Sequence, residues 1–170
     1  MASSPNSRAI HGMVPELRGL AVHSWLYKET LMAAHEQKAL DLFGEELMHQ
    51  VRDTQIRLWD ETFAGTARSS TYKNIYKKLS QSFNEEQLAV LGYLTPWVVD
   101  NVIAYLLGML ENEHEAIHIS VDADGQTVPS LYAISDGLEG ELYAEDGWIA
   151  RFSKERPPDE AYFSGEPPLG

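Results

Sequence analysis

The sequence predicts an α+β protein, in which an N-terminal bundle of four to five helices precedes a small antiparallel β-meander of three to four strands. Apolar residues recur every three or four positions over most of residues 16–114, which is the period of an amphipathic helix. From Ile117 the period changes to two, and Asp-Gly then occurs three times, 12 and 10 residues apart. We predict one domain over residues 13–156, helical to about residue 115 and β from about 116, between a flexible tail at 1–12 and a Pro-rich tail at 157–170.

The helical part divides at its loop and capping signals. Residues 16–63 contain no Pro and predict two helices, with a break near 34–36 or near Gly44. Residues 65–71 have the composition of a loop, and a short helix is expected at 72–79. Asn84, followed by two Glu residues, is a typical helix start. That helix is predicted to end near Tyr93, and Thr95 with Pro96 to open another that runs to about His114.

The β part is predicted from alternation and turns. Ile117, Ile119 and Val121 alternate with polar residues, as in a strand with one buried face. The Asp-Gly pairs at 124–125, 136–137 and 146–147 suit turns that need positive φ. We therefore expect strands near 117–123, 128–135, 140–145 and 148–153.

The acidic charge of the chain is concentrated in one stretch. The net charge is −13, yet residues 79–150 contain no Lys or Arg and 13 Asp and Glu. Such a field repels nucleic acid and anionic lipid and attracts basic surfaces. We expect no nucleic-acid or membrane partner, and the longest apolar-dominated stretch, residues 97–110, is predicted to be a buried core helix rather than a membrane span.

A basic protein surface is the partner that this charge pattern predicts. An acidic rim with interleaved aromatic residues is typical of a patch for such a partner. The alternative is that the acids only keep the chain soluble. The predicted partner-binding residues are Glu111, Glu113, Asp122, Asp124, Tyr132, Asp136, Glu139, Glu141, Tyr143, Glu145, Asp146 and Trp148.

One short motif has a metal-binding pattern. Residues 114–118 read His-Glu-Ala-Ile-His, which resembles the H-E-x-x-H motif of zincin metalloproteases. In that family the two His residues, here His114 and His118, hold zinc one helical turn apart, and the Glu, here Glu115, activates water. The alternating pattern from Ile117 instead places His118 in a strand, so the sequence favours no catalytic residue, metal or cofactor, with a zinc-dependent hydrolase as the alternative.

Other catalytic classes lack their sequence signals. The chain has no Cys, which excludes disulfides, thiolate metal sites and Cys nucleophiles. It also lacks a Gly-x-Ser-x-Gly motif and a Gly-rich phosphate loop. The first residues show no secretory signal pattern, and we expect a cytoplasmic protein.

We therefore expect a protein-binding module rather than an enzyme. In size and acidity the chain resembles the immunity proteins and antitoxins that block basic nuclease toxins, which implies an inhibitor of a basic protein. A structural or accessory subunit that acts by packing alone is a further alternative. The sequence does not predict an oligomeric state.

Overall fold

The computed structural model of the chain describes residues 15–112 and 116–156, with side chains described from residue 30 onward. The chain divides into two compact units, Met1–Lys38 and Ala39–Gly170. The predicted tails at 1–12 and 157–170 lie outside the described residues. In the first unit the described backbone is helical throughout, and the candidate sites and surfaces discussed below belong to the second unit.

The first long helical region is continuous where a break was expected. Helix α1 spans Pro15–Glu46, a π-helix follows at Leu47–Asp53, and α2 spans Thr54–Phe63. Neither residues 34–36 nor Gly44 interrupts the helix. The irregularity is the π-helix, a local variation that periodicity does not predict. At its end the hydroxyl of Thr54, the first residue of α2, donates to the carbonyl oxygen of His49 at 3.0 Å.

Helices α3, Ser70–Leu79, and α4, Glu85–Asn112, complete the helices that precede the hairpin in the described chain. The predicted start of α4 is confirmed, because Asn84 and Gln87 exchange side-chain-to-backbone hydrogen bonds at 2.9 and 3.0 Å, which is a capping-box arrangement. The predicted end near Tyr93 is wrong, since α4 continues through Pro96. The Thr95 hydroxyl does not cap a new helix and donates instead to the Leu91 carbonyl oxygen.

The predicted meander is reduced to one hairpin. Strands β1, Val121–Ala123, and β2, Gln126–Val128, pair antiparallel with Val121 opposite Val128. A 3₁₀ turn follows at Tyr132–Ile134. The predicted third and fourth strands are helices instead, α5 at Leu138–Tyr143 and α6 at Trp148–Phe152. Burial explains the difference, because Leu138 and Leu142 are four residues apart and both point into the core.

The core of the second unit lies between one face of α4 and the C-terminal elements. From α4 it receives Ile103, Ala104 and Leu107, which pack with apolar residues of the hairpin, α5, α6 and residues 39–48. The described chain is therefore mostly helical with a two-stranded antiparallel sheet, which agrees with an α+β class, while the four-to-five-helix bundle and the larger sheet are not confirmed.

Helix α4 is much longer than the apolar stretch recognised in the sequence. It has 28 residues, and among the described helices it alone is long and apolar enough to cross a membrane by length and composition. Only a third of its most apolar window is buried. The prediction of a buried core helix is thus correct for one face of α4 and wrong for the other.

Candidate functional site

The exposed acids of residues 121–150, called here the acidic segment, lie on successive turns and short elements. Six are exposed on the described structure: Asp122, Asp124, Asp136, Glu139, Glu145 and Asp146. No Lys or Arg occurs between residues 79 and 150. The first cation after the segment, Arg151, forms a bidentate pair with Asp41 at 2.6 and 2.9 Å, and the charges of Asp146 and Glu141 contribute to raising the pKa of its guanidinium after the dominant hydrogen bond to Asp41.

The hairpin holds the first of these acids at its tip. Asp124 and Gly125 have φ values of 48° and 77°, which is the pair of positive values that a type I′ turn needs. The predicted Asp-Gly turn is therefore confirmed here. Asp122 accepts a hydrogen bond from Thr127 at 2.5 Å across the two strands, so the hairpin presents its carboxylates from an ordered backbone.

The other predicted acids have structural contacts. Glu111 is half-buried, and its Oε1 accepts a hydrogen bond from the Glu139 backbone N–H at 3.2 Å, which joins the end of α4 to α5. Glu141 is half-buried and accepts from the Ser135 hydroxyl at 3.3 Å. Glu113 lies outside the described residues.

The three predicted aromatic residues differ in accessibility. Tyr132 is 38% exposed, whereas Tyr143 is half-buried. Trp148 is fully buried, with its ring 5.6 Å from that of Phe43 in an edge-to-face arrangement. The indole of Trp148 is therefore part of the core, and of the three only Tyr132 offers a ring to a partner on the described surface.

The metal-like motif is described only in part. His114 and Glu115 lie outside the described residues. Ala116 is in a turn and His118 is exposed in a segment without regular structure, so the second half of the motif does not continue α4. Within residues 15–112 and 116–156, no group of three or more His, Cys, Asp and Glu is placed to hold a metal ion.

A buried charge cluster beside α4 was not predicted. Arg52, on the π-helix, donates to both oxygens of Asp100 at 2.7 and 3.1 Å, and both residues are 1% exposed. Arg52 also donates to Ser153 and to the Glu155 carbonyl oxygen. Asp53 accepts from the Ser153 hydroxyl and the Lys154 backbone N–H. This cluster fastens residues 153–155 to the π-helix and α4, a structural role that only spatial proximity reveals.

A cavity of about 590 Å³ lies where α2, α3 and α4 meet. Its walls include Asp60, Tyr76, Glu85, Tyr93 and Arg156. Arg156 pairs with Asp60 and donates to the carbonyl oxygen of Gly92. Among the described residues that line it, Arg156 is the one cation and is already paired, and none is Ser, Thr, Cys, His or Lys. The described walls therefore show no constellation of nucleophile and base.

One face of α4 is both apolar and exposed on the described structure. Eight exposed side chains and one polar residue form what we call the apolar strip: Val90, Leu94, Trp97, Val98, Asn101, Val102, Tyr105, Leu106 and Met109. Between Glu86 and Glu111 the only charged residue is Asp100, and it is buried against Arg52. The spacing of three and four was visible in the sequence, but a helix that is apolar on both sides predicts a core position.

Comparison of the chain with protein-family models, curated proteins and solved structures finds no match.

Proposed function

We propose that this chain is a protein-binding module that engages a basic protein through the acidic segment, in the manner of an inhibitor. The observation that carries the proposal is charge segregation. Six acids are exposed over residues 122–146, and no Lys or Arg occurs from residue 79 to residue 150.

The physical effect of such a segment is on association. Exposed like charges raise the local concentration of an oppositely charged partner and accelerate encounter at low ionic strength. Ion pairs at an exposed rim add little affinity each, so Tyr132 and neighbouring apolar groups would supply contact area. The half-buried Glu111 and Glu141 would add to the negative electrostatic potential rather than contact the partner directly.

The experiment compares charge-neutralised variants of the full chain. The test variant carries Asp124→Asn, Asp136→Asn, Glu139→Gln and Glu145→Gln; Asn at 124 retains the turn preference of Asp. The control carries Glu45→Gln and Glu46→Gln with Glu85→Gln and Glu86→Gln, which removes the same charge from exposed positions outside the segment. The immobilised wild-type chain is used to capture a basic protein from cell extract at low salt.

Supporting results are retention of that protein by the wild type and the control, loss by the test variant, and association that slows about tenfold as salt is raised from 50 to 500 mM. Equal capture by the test variant, or association that is independent of salt, would contradict the proposal.

A second candidate function is that of a structural or accessory subunit that acts by packing. The apolar strip on α4 favours it, because soluble monomers rarely expose apolar patches beyond a few hundred Å². This function requires no catalytic site and is compatible with an acidic segment that serves solubility.

A further inference from the structure

The apolar strip is large enough to be an interface. Its eight apolar residues are 41–80% exposed. With ordinary areas for these residue types, their summed exposed surface is roughly 800 Å². A standard protein–protein interface buries about 800 Å² on each partner. The strip runs from Val90 to Met109, a length of about 28 Å along the helix axis. It also includes Trp97 and Tyr105, of the residue types that dominate binding energy at interfaces.

A lipid bilayer does not fit as the occupant. The opposite face of the same helix packs in the core through Ile103, Ala104 and Leu107, and Asp100 on α4 is paired with the buried Arg52. Insertion of α4 would separate this ion pair and expose the core. A net charge of −13 also opposes adsorption to an anionic surface.

A charged partner does not fit the strip either. None of its nine residues carries a charge, so it offers no group to pair with an acidic or basic side chain. Burying a charged side chain against it would cost several kcal/mol without compensation. The surface that matches an uncharged, aliphatic and aromatic strip is another strip of the same character.

The strip can pair with itself about a twofold axis. Eight of its nine positions are symmetric about the point between residues 99 and 100, so that an antiparallel copy places four pairs at equal height along the helix axes: Val90 with Met109, Leu94 with Tyr105, Trp97 with Val102, and Val98 with Asn101. The ninth, Leu106, is level with Tyr93, which is half-buried and outside the strip. A symmetric homodimer requires such self-complementarity, because each patch must meet its own copy in reverse. A larger side chain is level with a smaller one in three of these pairs, which suits close helix packing.

We infer that the chain forms a symmetric dimer through antiparallel packing of α4 against α4 of a second copy. This inference rests on the second candidate function, packing through the strip, and does not require the acidic segment to bind anything. Asn101 lies beside the twofold axis. The two copies of Asn101 are therefore offset by only about 4.5 Å in the direction of the helix axes. A single Asn at such a position specifies register at some cost in stability.

The charge of the chain sets an unusual salt dependence for this dimer. Two copies carry −13 each, so their long-range repulsion opposes association and is screened by salt. The dimer should therefore tighten as salt rises. Binding of a basic protein by the acidic segment should weaken over the same range, so the two proposals give opposite results and fail separately.

The first experiment measures mass against concentration for the full chain. Sedimentation velocity from 1 to 200 µM at 50 and 500 mM salt should show conversion from 19.1 kDa to twice that mass, with a several-fold lower Kd at high salt. The variants Val98→Lys and Tyr105→Lys should raise the Kd at least about tenfold, because a charge is buried at the interface. These sites are 62% and 80% exposed, so the monomer should retain its thermal midpoint.

The control is Ala89→Lys, which adds the same charge at an exposed position of α4 outside the strip. Its Kd should lie within about twofold of the wild type. Because Lys lowers the net negative charge, dissociation by Val98→Lys is not explained by added repulsion between copies.

A second experiment tests the antiparallel arrangement. The chain contains no Cys, so Ala89→Cys and Asn112→Cys, at exposed positions of α4 outside the strip, can each carry one spin label. Antiparallel pairing predicts backbone separations between equivalent sites of about 33 Å at 89 and about 39 Å at 112, from 1.5 Å rise per residue and an interaxial distance near 9 Å. Parallel pairing predicts about 10 Å at both.

Several results would overturn the inference. These are a monomer at every concentration and salt, a dimer unaffected by Val98→Lys and Tyr105→Lys, label separations near 10 Å at both sites, or partition of the chain into neutral phosphatidylcholine vesicles in place of dimerisation.

Discussion

Arg156 donates a hydrogen bond to the carbonyl oxygen of Gly92, the group that Pro96 leaves without its helical donor. In a regular helix the N–H of residue 96 would bond to this oxygen, but Pro has no N–H and its ring crowds the same carbonyl. Arg156 also pairs with Asp60. Arg156, 64 positions after Gly92 in sequence, thus supports the continuity of α4 and, with it, the full length of the apolar strip.

The Arg156–Gly92 contact predicts that the effects of Arg156→Ala and Pro96→Ala on stability are coupled. Arg156→Ala should lower the free energy of unfolding by about 1–2 kcal/mol, because the buried carbonyl loses its donor. In a Pro96→Ala background, residue 96 donates its own N–H to the Gly92 carbonyl oxygen. There Arg156→Ala should lower the free energy of unfolding by about 1 kcal/mol less than it does in the wild type. Urea unfolding of the four proteins gives the coupling energy. Additive effects would show that Arg156 stabilises the chain only through Asp60, for which Asp60→Asn is the control.

The buried Arg52–Asp100 pair predicts a large loss when one partner is removed. Arg52→Met should cost about 3–5 kcal/mol, since Asp100 would remain charged and buried without its partner. Arg57→Met is the matched control. Arg57 is 54% exposed and lies 3.6 Å from Glu155, so its removal should cost less than about 1 kcal/mol. Similar losses for the two variants, measured by denaturant unfolding, would contradict the structural role of the cluster.

Two glycines in helices predict opposite effects of the same substitution. A Cβ on Gly44 would collide with the indole of Trp148, whereas one on Gly108 meets nothing within 4 Å. Gly44→Ala should therefore destabilise the chain by about 1–3 kcal/mol through overpacking. Gly108→Ala should stabilise it by up to about 1 kcal/mol, the difference in helix propensity. Thermal unfolding of both variants is the measurement, and equal midpoints would contradict the packing of Trp148 against α1.

Tyr143 predicts a loss of stability at alkaline pH. Burial first, and then the charges of Asp100 and Glu139, raise the pKa of its phenol to about 12 from 10.0, while Arg52 acts in the opposite direction. Because the folded pKa is higher than the unfolded one, this contribution to stability is complete below pH 10 and is lost as pH rises from 10 to about 12. When tyrosinate formation is followed by absorbance, the component that ionises at the highest pH should be missing in Tyr143→Phe. A titration that keeps this component would contradict the assignment.

Local chemistry allowed several elements to be predicted. The Asn84 cap and the Asp124-Gly125 turn depend on neighbouring residues alone, and both are confirmed. The predicted strands at 140–145 and 148–153 are wrong because the apolar residues of a six-residue segment fit either period, and the i, i+4 spacing of Leu138 and Leu142 was the available signal for a helix. Burial of Trp148 depends on Gly44, 104 residues away in sequence, and no local pattern shows that contact.

For the functional surfaces, the sequence by itself determined the charge distribution, the absence of Cys and the chemical character of α4, because these are properties of composition and order. Only the tertiary structure decided that α4 passes through Pro96 and that one of its apolar faces is covered while the other is exposed. The reason is that burial is a property of packing: the core elements cover only one side of α4, and Arg156 reaches the Gly92 carbonyl through the fold rather than along the chain.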